Sequence, residues 1–435
     1  MKFGPALMQQ AEVLARFSED APRITRTYLS AEHKAAGTYL IDLMQEAGMK
    51  AGFDALGNIV GRYAAAADAN RGSGAAGATG AAGAAGATGA PPPVVMTGSH
   101  QDSVRNAGKY DGLFGILTAI ACVADLHRRG KRLPYTLEVI GFGDEEGVRF
   151  GATLIGSKAM AGAFDAAWLD KTDARGVTMR QALRDFGGDP DAWPTLDRRG
   201  NNVVAFVESH IEQGPVLLGE QHAVGVVTAI AGATRLRACV TGLAGHAGTV
   251  PMGQRQDALA AAAEMVLTVE RYCSEHKDQS GLVGTVGMIE AKPGAVNVIP
   301  QEANFTIDLR SGEDAARRRA VASMRAQFAA IAARRGVQVA LDAYYEADAA
   351  PCHPALQAQL AQAIAAQGLA VRHLPSGAGH DAMVFPPVCP TAMLFVRCGN
   401  NGISHHPDET MTAQDAELAT QALLHFFEHF TPPSS

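Results

Sequence analysis

Four apolar runs in this chain each lead into histidine or acidic residues. "VVMTGSH" ends at His100, "LEVIGFGDEE" ends in three acids, "VVAFVESH" ends at His210, and "TAMLFVRC" is followed by "GNNGISHH". Short continuous apolar runs that are bounded by glycine indicate buried strands. Open α/β sheets bind their ligands beyond the carboxyl ends of the strands. The sequence therefore predicts a sheet that gathers imidazole and carboxylate groups at one edge.

Helical patterns separate these runs. "GLFGILTAIACVADLHRRG" follows the first run, and a final helix is predicted from Thr412 to Phe430. Strands that alternate with helices predict an α/β fold with a mostly parallel sheet. A second alternation begins near Val224 in the order strand, helix, strand, strand, helix, strand. This order is the split βαββαβ unit of ferredoxin-like domains.

The 435 residues exceed the size at which one hydrophobic core usually keeps growing, so we expect two domains. We predict a discontinuous metal-binding catalytic domain over 1–223 and 340–435, with the smaller βαββαβ domain, 224–339, inserted in it. A cleft between two such domains is a natural ligand site. The Ala, Gly, Thr and Pro-rich segment 64–93 offers no large apolar side chain to bury. It is predicted to be a flexible loop that joins two strands.

Composition excludes several classes of function. No segment reaches the roughly 18 consecutive apolar residues of a membrane span. The net charge of −7, with no basic run, argues against nucleic acid and against an anionic membrane surface as partners. Six dispersed cysteines without a CxxC pair indicate neither a zinc knuckle nor a disulfide framework. The first residues have the spacing of an amphipathic helix rather than the order of a signal peptide, so we expect a cytoplasmic protein.

Acidic side chains crowd the predicted strand ends. Asp102 and Asp111 follow His100, and Asp144, Glu145 and Glu146 follow the next strand along the chain. Several acids at one sheet edge would repel one another and raise their pKa values unless a cation neutralised them. Each motif alone also fits a hydrogen-bonded surface pair or a solvated loop, but their common position at strand ends favours a metal site. Imidazole with carboxylate suits Zn²⁺, and also Mn²⁺, Co²⁺ or Ni²⁺.

Eight motifs occur in a characteristic order along the chain: "GSHQDSV" with "YDG", "DEEGVRFG", "ESHIEQGP", "GHAGTVPM", "NVIP", "DLRS", "SGAGHDA" and "GISHHPDE". In this order and spacing the chain resembles the hydantoinase/carbamoylase branch of the M20-type metallo-amidohydrolases. That branch contains N-carbamoyl-L-amino acid hydrolases, allantoate amidohydrolases and β-ureidopropionases. The resemblance covers nearly the whole chain except the Ala/Gly-rich segment.

The resemblance implies two divalent metal ions, with Zn²⁺ preferred and Mn²⁺, Co²⁺ or Ni²⁺ as alternatives. The implied ligands are His100, Asp111 and His210 for one ion and Asp111, Glu146 and His405 for the other, so that Asp111 bridges them. His405 is preferred over the adjacent His406 because it directly follows Ser404 in the motif. Glu145 is implied as the general base. Asp102 is implied to orient His100, as metal-bound imidazoles generally require.

The resemblance also implies residues that bind substrate. His246 would stabilise the tetrahedral oxyanion as a catalytic group, and Arg310 would hold a carboxylate through two parallel hydrogen bonds. From the residues alone, His246 also fits a solvated loop histidine and Arg310 a structural ion pair. The full implied substrate-binding set is Gln213, His246, Asn297, Arg310, Gly379 and His380. The smaller domain is implied to act as a lid and to join two subunits in a homodimer.

The expected activity is hydrolysis of the C–N bond of a carbamoyl or ureido group in a small carboxylate, with release of ammonia. Two metals that share one carboxylate polarise a carbonyl and lower the pKa of a bound water, which suits this chemistry. Allantoate and N-carbamoyl-L-amino acids remain open as substrates, with β-ureidopropionate third. Two other functions are kept as alternatives: an M20-type peptidase or N-acyl-amino acid deacylase, and a non-catalytic protein that binds a metal or ligand.

Overall fold

The computed structural model of the protein describes residues 2–69 and 91–433. Most of the predicted flexible loop, 64–93, falls on 70–90 and therefore lies outside the described residues. Just before that gap, Ala66–Ala69 form one helical turn. No helix in the described part of the chain is long and apolar enough to cross a membrane.

The chain divides into two compact units. The first unit is built from three stretches of the chain, and the second unit from one long stretch and one short return segment. The first unit comprises Met1–Thr228, Cys352–Leu374 and His380–Ser435, and the second comprises Ala229–Pro351 and Pro375–Gly379.

The limits of the second unit differ from the predicted 224–339. It begins at Ala229 and extends to Pro351, because the strand Gln338–Ala347 pairs along its length with Gly232–Thr241. That strand completes the sheet of the second unit and does not return the chain to the first. The sequence pattern places this strand correctly in the βαββαβ order, and only the boundary drawn at 339 separates it from its partners.

The α-helices and β-strands follow in chain order. The helices are α1 Phe3–Leu14, α2 Ala31–Glu46, α3 Ala66–Ala69, α4 Leu113–Arg128, α5 Ile155–Met160, α6 Met179–Phe186, α7 Val216–Gly219, α8 Ala258–Ser280, α9 Asp314–Arg335, α10 Pro354–Ala365 and α11 Ala413–His429. The strands are β1 Lys50–Phe53, β2 Ile59–Tyr63, β3 Val94–His100, β4 Thr136–Phe142, β5 Val203–Ile211, β6 Val224–Ile230, β7 Gly232–Thr241, β8 Gly245–His246, β9 Val283–Lys292, β10 Val298–Ile299, β11 Glu302–Ser311, β12 Gln338–Ala347, β13 Ala350–Pro351, β14 His373–Ser376 and β15 Thr391–Val396.

The main sheet has the strand order β1-β2-β4-β3-β5-β15-β6, and the short strands β13 and β14 also pair with β6. Its four central strands, β4, β3, β5 and β15, run parallel. The pairs at the margins, β1 with β2, β2 with β4 and β6 with β15, are antiparallel. The fold is therefore mixed α/β, with the predicted parallel pairing at its centre and antiparallel strands outside it.

Every residue of β3 and β4 is buried, which explains why these strands appear as continuous apolar runs. Helix α4 packs on β3, β4 and β5, and α11 packs on α4 and β15. Because the four central strands are parallel, their carboxyl ends lie at one edge of the sheet. Strand β3 ends there at His100, and β5 ends there one residue after His210.

The second unit has a four-stranded antiparallel sheet in the order β12-β7-β11-β9. Helices α8 and α9 pack on it, and its core includes Leu236, Met265, Phe305 and Phe328. Burial alternates along β11, as expected of a strand with one covered face. In chain order the elements run β7, α8, β9, β11, α9, β12, which is the βαββαβ sequence of elements.

Local signals set the ends of the long helices. The side chain of Asp257 accepts the N–H of Ala260 and begins α8, and Thr412 caps α11 in the same way. Helices α8 and α9 stop at Gly281 and Gly336, each in the left-handed conformation that glycine adopts without strain.

Gly98 lies where the central strands β3 and β4 approach closely, so a substitution at this position tests their packing. It has a φ of +149°, and a Cβ at this position would overlap the carbonyl oxygen of Ile140 in the neighbouring β4. We expect Gly98→Ala to lower the free energy of unfolding by about 2 kcal/mol or more, because the strands would have to separate. Urea denaturation measures this change.

Gly52→Ala is the matched control, because a Cβ added to this glycine of β1 meets no atom within 4 Å. We expect it to change the free energy of unfolding by less than about 0.5 kcal/mol. Equal effects of the two substitutions would contradict the close packing of β3 on β4.

Candidate active site

His100 and His210 stand at the ends of two neighbouring parallel strands. The Nδ1 of His100 lies 3.0 Å from the main-chain oxygen of Asp102, and the Nδ1 of His210 lies 2.8 Å from that of Ile211. A carbonyl oxygen can only accept, so each Nδ1 donates its hydrogen, and in the neutral ring each Nε2 carries the lone pair. The N–H of Gly112 also points at the Nε2 of His210, at 3.3 Å. Both rings therefore present Nε2 as a ligand atom.

A third donor completes this first group. The two Nε2 atoms are 3.5 Å apart, and the Oδ1 of Asp111 lies 3.7 Å from that of His100 and 3.4 Å from that of His210. Ligands about 2.1 Å from a tetrahedrally coordinated ion lie about 3.4 Å from one another. The spacing of the three atoms thus fits one transition-metal ion.

The other oxygen of the same carboxylate faces a second group. The Oδ2 of Asp111 is 3.2 Å from the Nε2 of His405, which is 3.5 Å from the Oε1 of Glu146. This Oε1 is buried and accepts no hydrogen bond among the described residues. Burying such an acceptor is costly unless something pairs with it, so a cation also fits here.

His405, and not His406, belongs to this second group. Its backbone has a left-handed φ of +55°, and its Nε2 lies 3.2 Å from the Oδ2 of Asp111. His406 instead lies beside Asp408: its Nδ1 accepts the N–H of that residue and is 3.6 Å from its carboxylate. Of the two adjacent histidines, it is therefore His405 that brings a ring nitrogen close to Asp111 and Glu146.

The site holds more acid than it can keep ionised without a cation. Burial raises the pKa of Glu146 to about 7, and the pKa of Glu145 is raised by burial and by the neighbouring Glu146 and Asp381. Burial alone would also raise the pKa of Asp111, but the neighbouring imidazoles of His100 and His405 hold it well below its ordinary value. Bound divalent ions would neutralise this group of charges.

Asp102 holds the loop that carries the two glutamates. Its Oδ1 accepts the N–H of Glu145 at 3.1 Å, and its Oδ2 accepts the N–H of Glu146 at 3.2 Å. The resemblance implies that Asp102 orients His100. In the structure the main-chain oxygen of Asp102 makes the contact, since its Oδ1 lies 3.8 Å from the ring nitrogen. The role of the carboxylate in supporting the loop was not predicted.

Two predicted substrate-binding residues of the first unit lie beside the metal-ligand candidates. The Nε2 of Gln213 donates to the Oδ1 of Asp111 at 2.9 Å. The ring of His380 meets the ring of His210 edge-on, with centroids 4.5 Å apart, and burial lowers the pKa of His380 well below its ordinary value. Gly379, the neighbour of His380 in sequence, belongs to the return segment of the second unit.

The other predicted substrate-binding residues belong to the second unit. His246 lies on β8 opposite Val298 of β10, and the N–H of Ala247 donates to the main-chain oxygen of Asn297. The two-stranded ribbon therefore brings the predicted residues His246 and Asn297 together. The side chain of His246 is exposed, and its Nδ1 accepts the N–H of Gly248 at 3.0 Å.

Arg310 lies on β11 and is held by two partners within the second unit. Its Nε and Nη2 donate to the two carboxylate oxygens of Asp308, at 2.9 and 3.3 Å, and its Nη1 donates to the main-chain oxygen of Gly377 at 3.0 Å. Both terminal nitrogens retain a further N–H. The guanidinium borders an open groove of about 620 Å³. Other residues that line this groove are Arg235, Thr285, Thr306, Asp308 and Tyr344.

Glu409 is a functional candidate that was not predicted. It is buried within the predicted motif "GISHHPDE", four residues after His405. Its carboxylate accepts hydrogen bonds from the loop that carries Asp111. Its position was the available signal for a functional role, because it ends a motif that contains the metal-ligand candidate His405.

Comparison with known proteins identifies the family of this chain. Residues 96–429 match the family model described as Peptidase family M20/M25/M40. A probable allantoate deiminase from Oryza sativa subsp. japonica is 36% identical over an alignment of 445 positions, gaps included, that covers 95% of this chain and 86% of that protein. An N-carbamoyl-L-amino acid amidohydrolase from Geobacillus stearothermophilus is 35% identical over 402 residues, which cover 92% of each chain.

A solved structure also matches along nearly the whole chain. It is an amidase of the hydantoinase/carbamoylase family from Burkholderia multivorans, with a TM-score of 0.86 and 32% sequence identity, and the match covers 98% of this chain and 97% of that one. The resemblance seen in the eight motifs is thereby confirmed. The chain belongs to the M20 peptidase family and, within it, to the hydantoinase/carbamoylase amidases.

Proposed function

We propose that this protein hydrolyses the C–N bond of a carbamoyl or ureido group in a small carboxylate and releases ammonia. The observation that carries the proposal is the carboxylate of Asp111, whose two oxygens face two separate groups of metal-ligand atoms. Relatives named as amidohydrolases and deiminases of such compounds support the choice of bond.

We assign one ion to His100, Asp111 and His210, and the other to Asp111, Glu146 and His405. These two groups each bring three donor atoms within 4.8 Å of one another. Zn²⁺ is the ion proposed, with Mn²⁺, Co²⁺ or Ni²⁺ as alternatives that the same donors suit. When bound, the two ions polarise the substrate carbonyl and lower the pKa of the attacking water.

Glu145 is the proposed general base. Its carboxylate takes a proton from the attacking water and passes it to the leaving nitrogen. Asp102 fixes the backbone N–H groups of Glu145 and Glu146, so that the base and the adjacent metal ligand keep their relative placement.

The second unit is proposed to act as a lid that supplies substrate-binding groups. Arg310 holds the substrate carboxylate, because the N–H groups left on its terminal nitrogens can donate to two carboxylate oxygens. Asp308 keeps the guanidinium in place. His246 stabilises the developing oxyanion, and Asn297 binds beside it. Gln213, Gly379 and His380 complete the proposed set.

Two substrate classes are proposed on equal terms. Allantoate and N-carbamoyl-L-amino acids each carry a ureido group and a carboxylate, and relatives named for either compound have nearly equal identity to this chain, 36% and 35%. β-Ureidopropionate, which also has both groups, is third.

The central test is ammonia release from four compounds: allantoate, N-carbamoyl-L-methionine, β-ureidopropionate and N-acetyl-L-methionine, with acetate assayed for the last. The purified protein is analysed for bound metal and reconstituted with Zn²⁺. We expect a ureido compound to be hydrolysed, and we expect Glu145→Gln to lower kcat by about 10²- to 10⁴-fold because the base is lost.

Two checks accompany this assay. The Glu145→Gln variant should still bind two ions, because Glu145 is not one of the assigned ligands. Acetate release without ammonia release would assign the protein to the deacylases. Inactivity on all four compounds with two ions bound would reject the proposed activity.

Arg310 tests the carboxylate clamp. We expect Arg310→Ala to lower kcat/KM for a ureido carboxylate by about 10- to 100-fold, through loss of charged hydrogen bonds. The same variant should change kcat/KM little for the corresponding carboxamide, which has no charge to bind. Steady-state kinetics on the acid and the amide measure the difference.

Arg325→Ala is the matched control, since this arginine lies on α9 and donates to the main-chain oxygen of Leu341. It should leave both substrates unaffected. If Arg310→Ala reduced turnover of the acid and the amide equally, Arg310 would not be the carboxylate clamp.

The protein is also proposed to form a homodimer through the second unit. Strand β9 is an edge strand of its sheet, and three apolar side chains on it are about half exposed: Val283, Met288 and Ile289. An open edge with apolar side chains is suited to pairing with a second copy across a two-fold axis.

We expect sedimentation velocity at micromolar concentration to give a particle of twice 45.4 kDa. Met288→Lys should shift this particle toward the monomer, because it would bury a charge in the interface. Val216→Lys, at an exposed apolar position of the first unit, should not. A monomeric wild-type protein would exclude the dimer.

A further inference from the structure

Glu409 joins the two loops that carry ligands of the second metal group. It is 3% exposed. Its Oε1 accepts the N–H of Tyr110 at 2.9 Å and that of Asp111 at 3.3 Å. Its Oε2 accepts the hydroxyl hydrogen of Ser404 at 2.7 Å. One carboxylate is therefore bonded to the backbone of the bridging residue and to the residue that precedes His405.

The residues around Glu409 leave room for its carboxylate between the two loops. A Cβ at Gly108 would overlap its carboxyl group, so the glycine leaves the space that the carboxylate fills. His405 has a left-handed backbone, which a non-glycine residue keeps only when neighbouring contacts hold it. The hydrogen bond from the adjacent Ser404 to Glu409 is such a contact.

Glu409 acts through the loops and not as a ligand. Both of its oxygens already accept hydrogen bonds, and no group of potential metal ligands among the described residues includes it. The atoms whose spacing it controls are the Oδ2 of Asp111 and the Nε2 of His405, which are 3.2 Å apart.

We propose that Glu409 is a positioning residue that sets the affinity of the second metal group, Asp111, Glu146 and His405, by holding the Asp111 and His405 loops at a fixed spacing. This inference rests on the ligand assignment proposed above. Hydrogen-bond partners outside the ligands commonly change metal affinity by about 10- to 100-fold. The first group, with His100 and His210 on strand ends, depends less on Glu409 because only its Asp111 is connected to it.

The test is titration of the metal-free protein with Zn²⁺ in competition with a chromophoric chelator, which yields the affinities of the first and the second ion separately. We expect Glu409→Ala to lower the affinity for the second ion by about 10- to 100-fold, and the affinity for the first ion by less. Ser404→Ala removes the hydrogen bond from the His405 loop to Glu409, together with the longer contact of Gln213 with the Ser404 hydroxyl, and leaves the contacts of Glu409 with the Asp111 loop. It should therefore weaken the affinity for the second ion more than that for the first.

Glu409→Gln distinguishes geometry from charge. The amide has the same length, and its oxygen can accept the backbone N–H groups while its nitrogen donates to the Oγ of Ser404. We expect this variant to bind the second ion within about 10-fold of wild type, that is, closer than Glu409→Ala. Glu417→Gln is the matched control, because Glu417 accepts the backbone N–H of Gly4 on α1 and should leave both affinities unchanged.

Three outcomes would count against the inference, and they are distinguishable. If the wild-type protein binds fewer than two ions, or His405→Ala still binds two, the ligand assignment fails and the inference falls with it. If His405→Ala no longer binds the second ion but Glu409→Ala binds it with unchanged affinity, only the role of Glu409 is rejected. If Glu409→Ala lowers the affinities for both ions equally and also lowers the Tm of the metal-free protein, Glu409 is a general structural residue.

Discussion

The carboxylate of Asp111 is the feature on which the rest of the site depends. Its Oδ1 faces the imidazoles of His100 and His210, and its Oδ2 faces that of His405. A buried carboxylate in this position is stable only while positive or donor groups surround it. The strands and loops nearby therefore serve one requirement, which is to bring nitrogen donors to both sides of a single side chain.

Parallel pairing of the central strands brings two of these nitrogen donors to the same edge of the sheet. In register, Val94 of β3 begins opposite Val203 of β5, and β15 runs beside β5 up to Ile211. The ladder of backbone hydrogen bonds fixes where each strand ends, so His100 and His210 reach the same edge without a specific contact between their rings. The loops that follow the strands supply the proposed ligands Asp111, Glu146 and His405. Side-chain contacts from Asp102 and Glu409 then hold those loops to the strand ends.

This division explains what could be predicted from the sequence. Buried parallel strands leave continuous apolar runs, so the edge of the sheet and its His100 and His210 could be recognised, and the βαββαβ order left a similar periodic trace. The antiparallel pairing of β2 with β4 and of β6 with β15 joins strands that are far apart in the sequence, so their direction leaves no local signal. The contact between Asp111 and Glu409 spans 298 residues and involves a backbone N–H, which no local pattern encodes. The contact of His100 with the main-chain oxygen of Asp102 is local, but the sequence does not show which oxygen of an aspartate faces a neighbouring ring, so this partner was not predicted either.

Selectivity between the two proposed substrates does not arise at the metal-ligand groups. Allantoate and an N-carbamoyl-L-amino acid present an identical ureido group to the ligands and an identical carboxylate to a guanidinium such as Arg310. They differ in the substituent on the carbon between these groups, which is a second ureido group in one and the amino acid side chain in the other. A pocket that hydrogen-bonds a polar substituent rejects an apolar analogue far more strongly than an apolar pocket rejects a polar one. Selectivity therefore depends on whether polar side chains contact that carbon's substituent, while the chemistry at Glu145 and the metal ligands can remain the same for both.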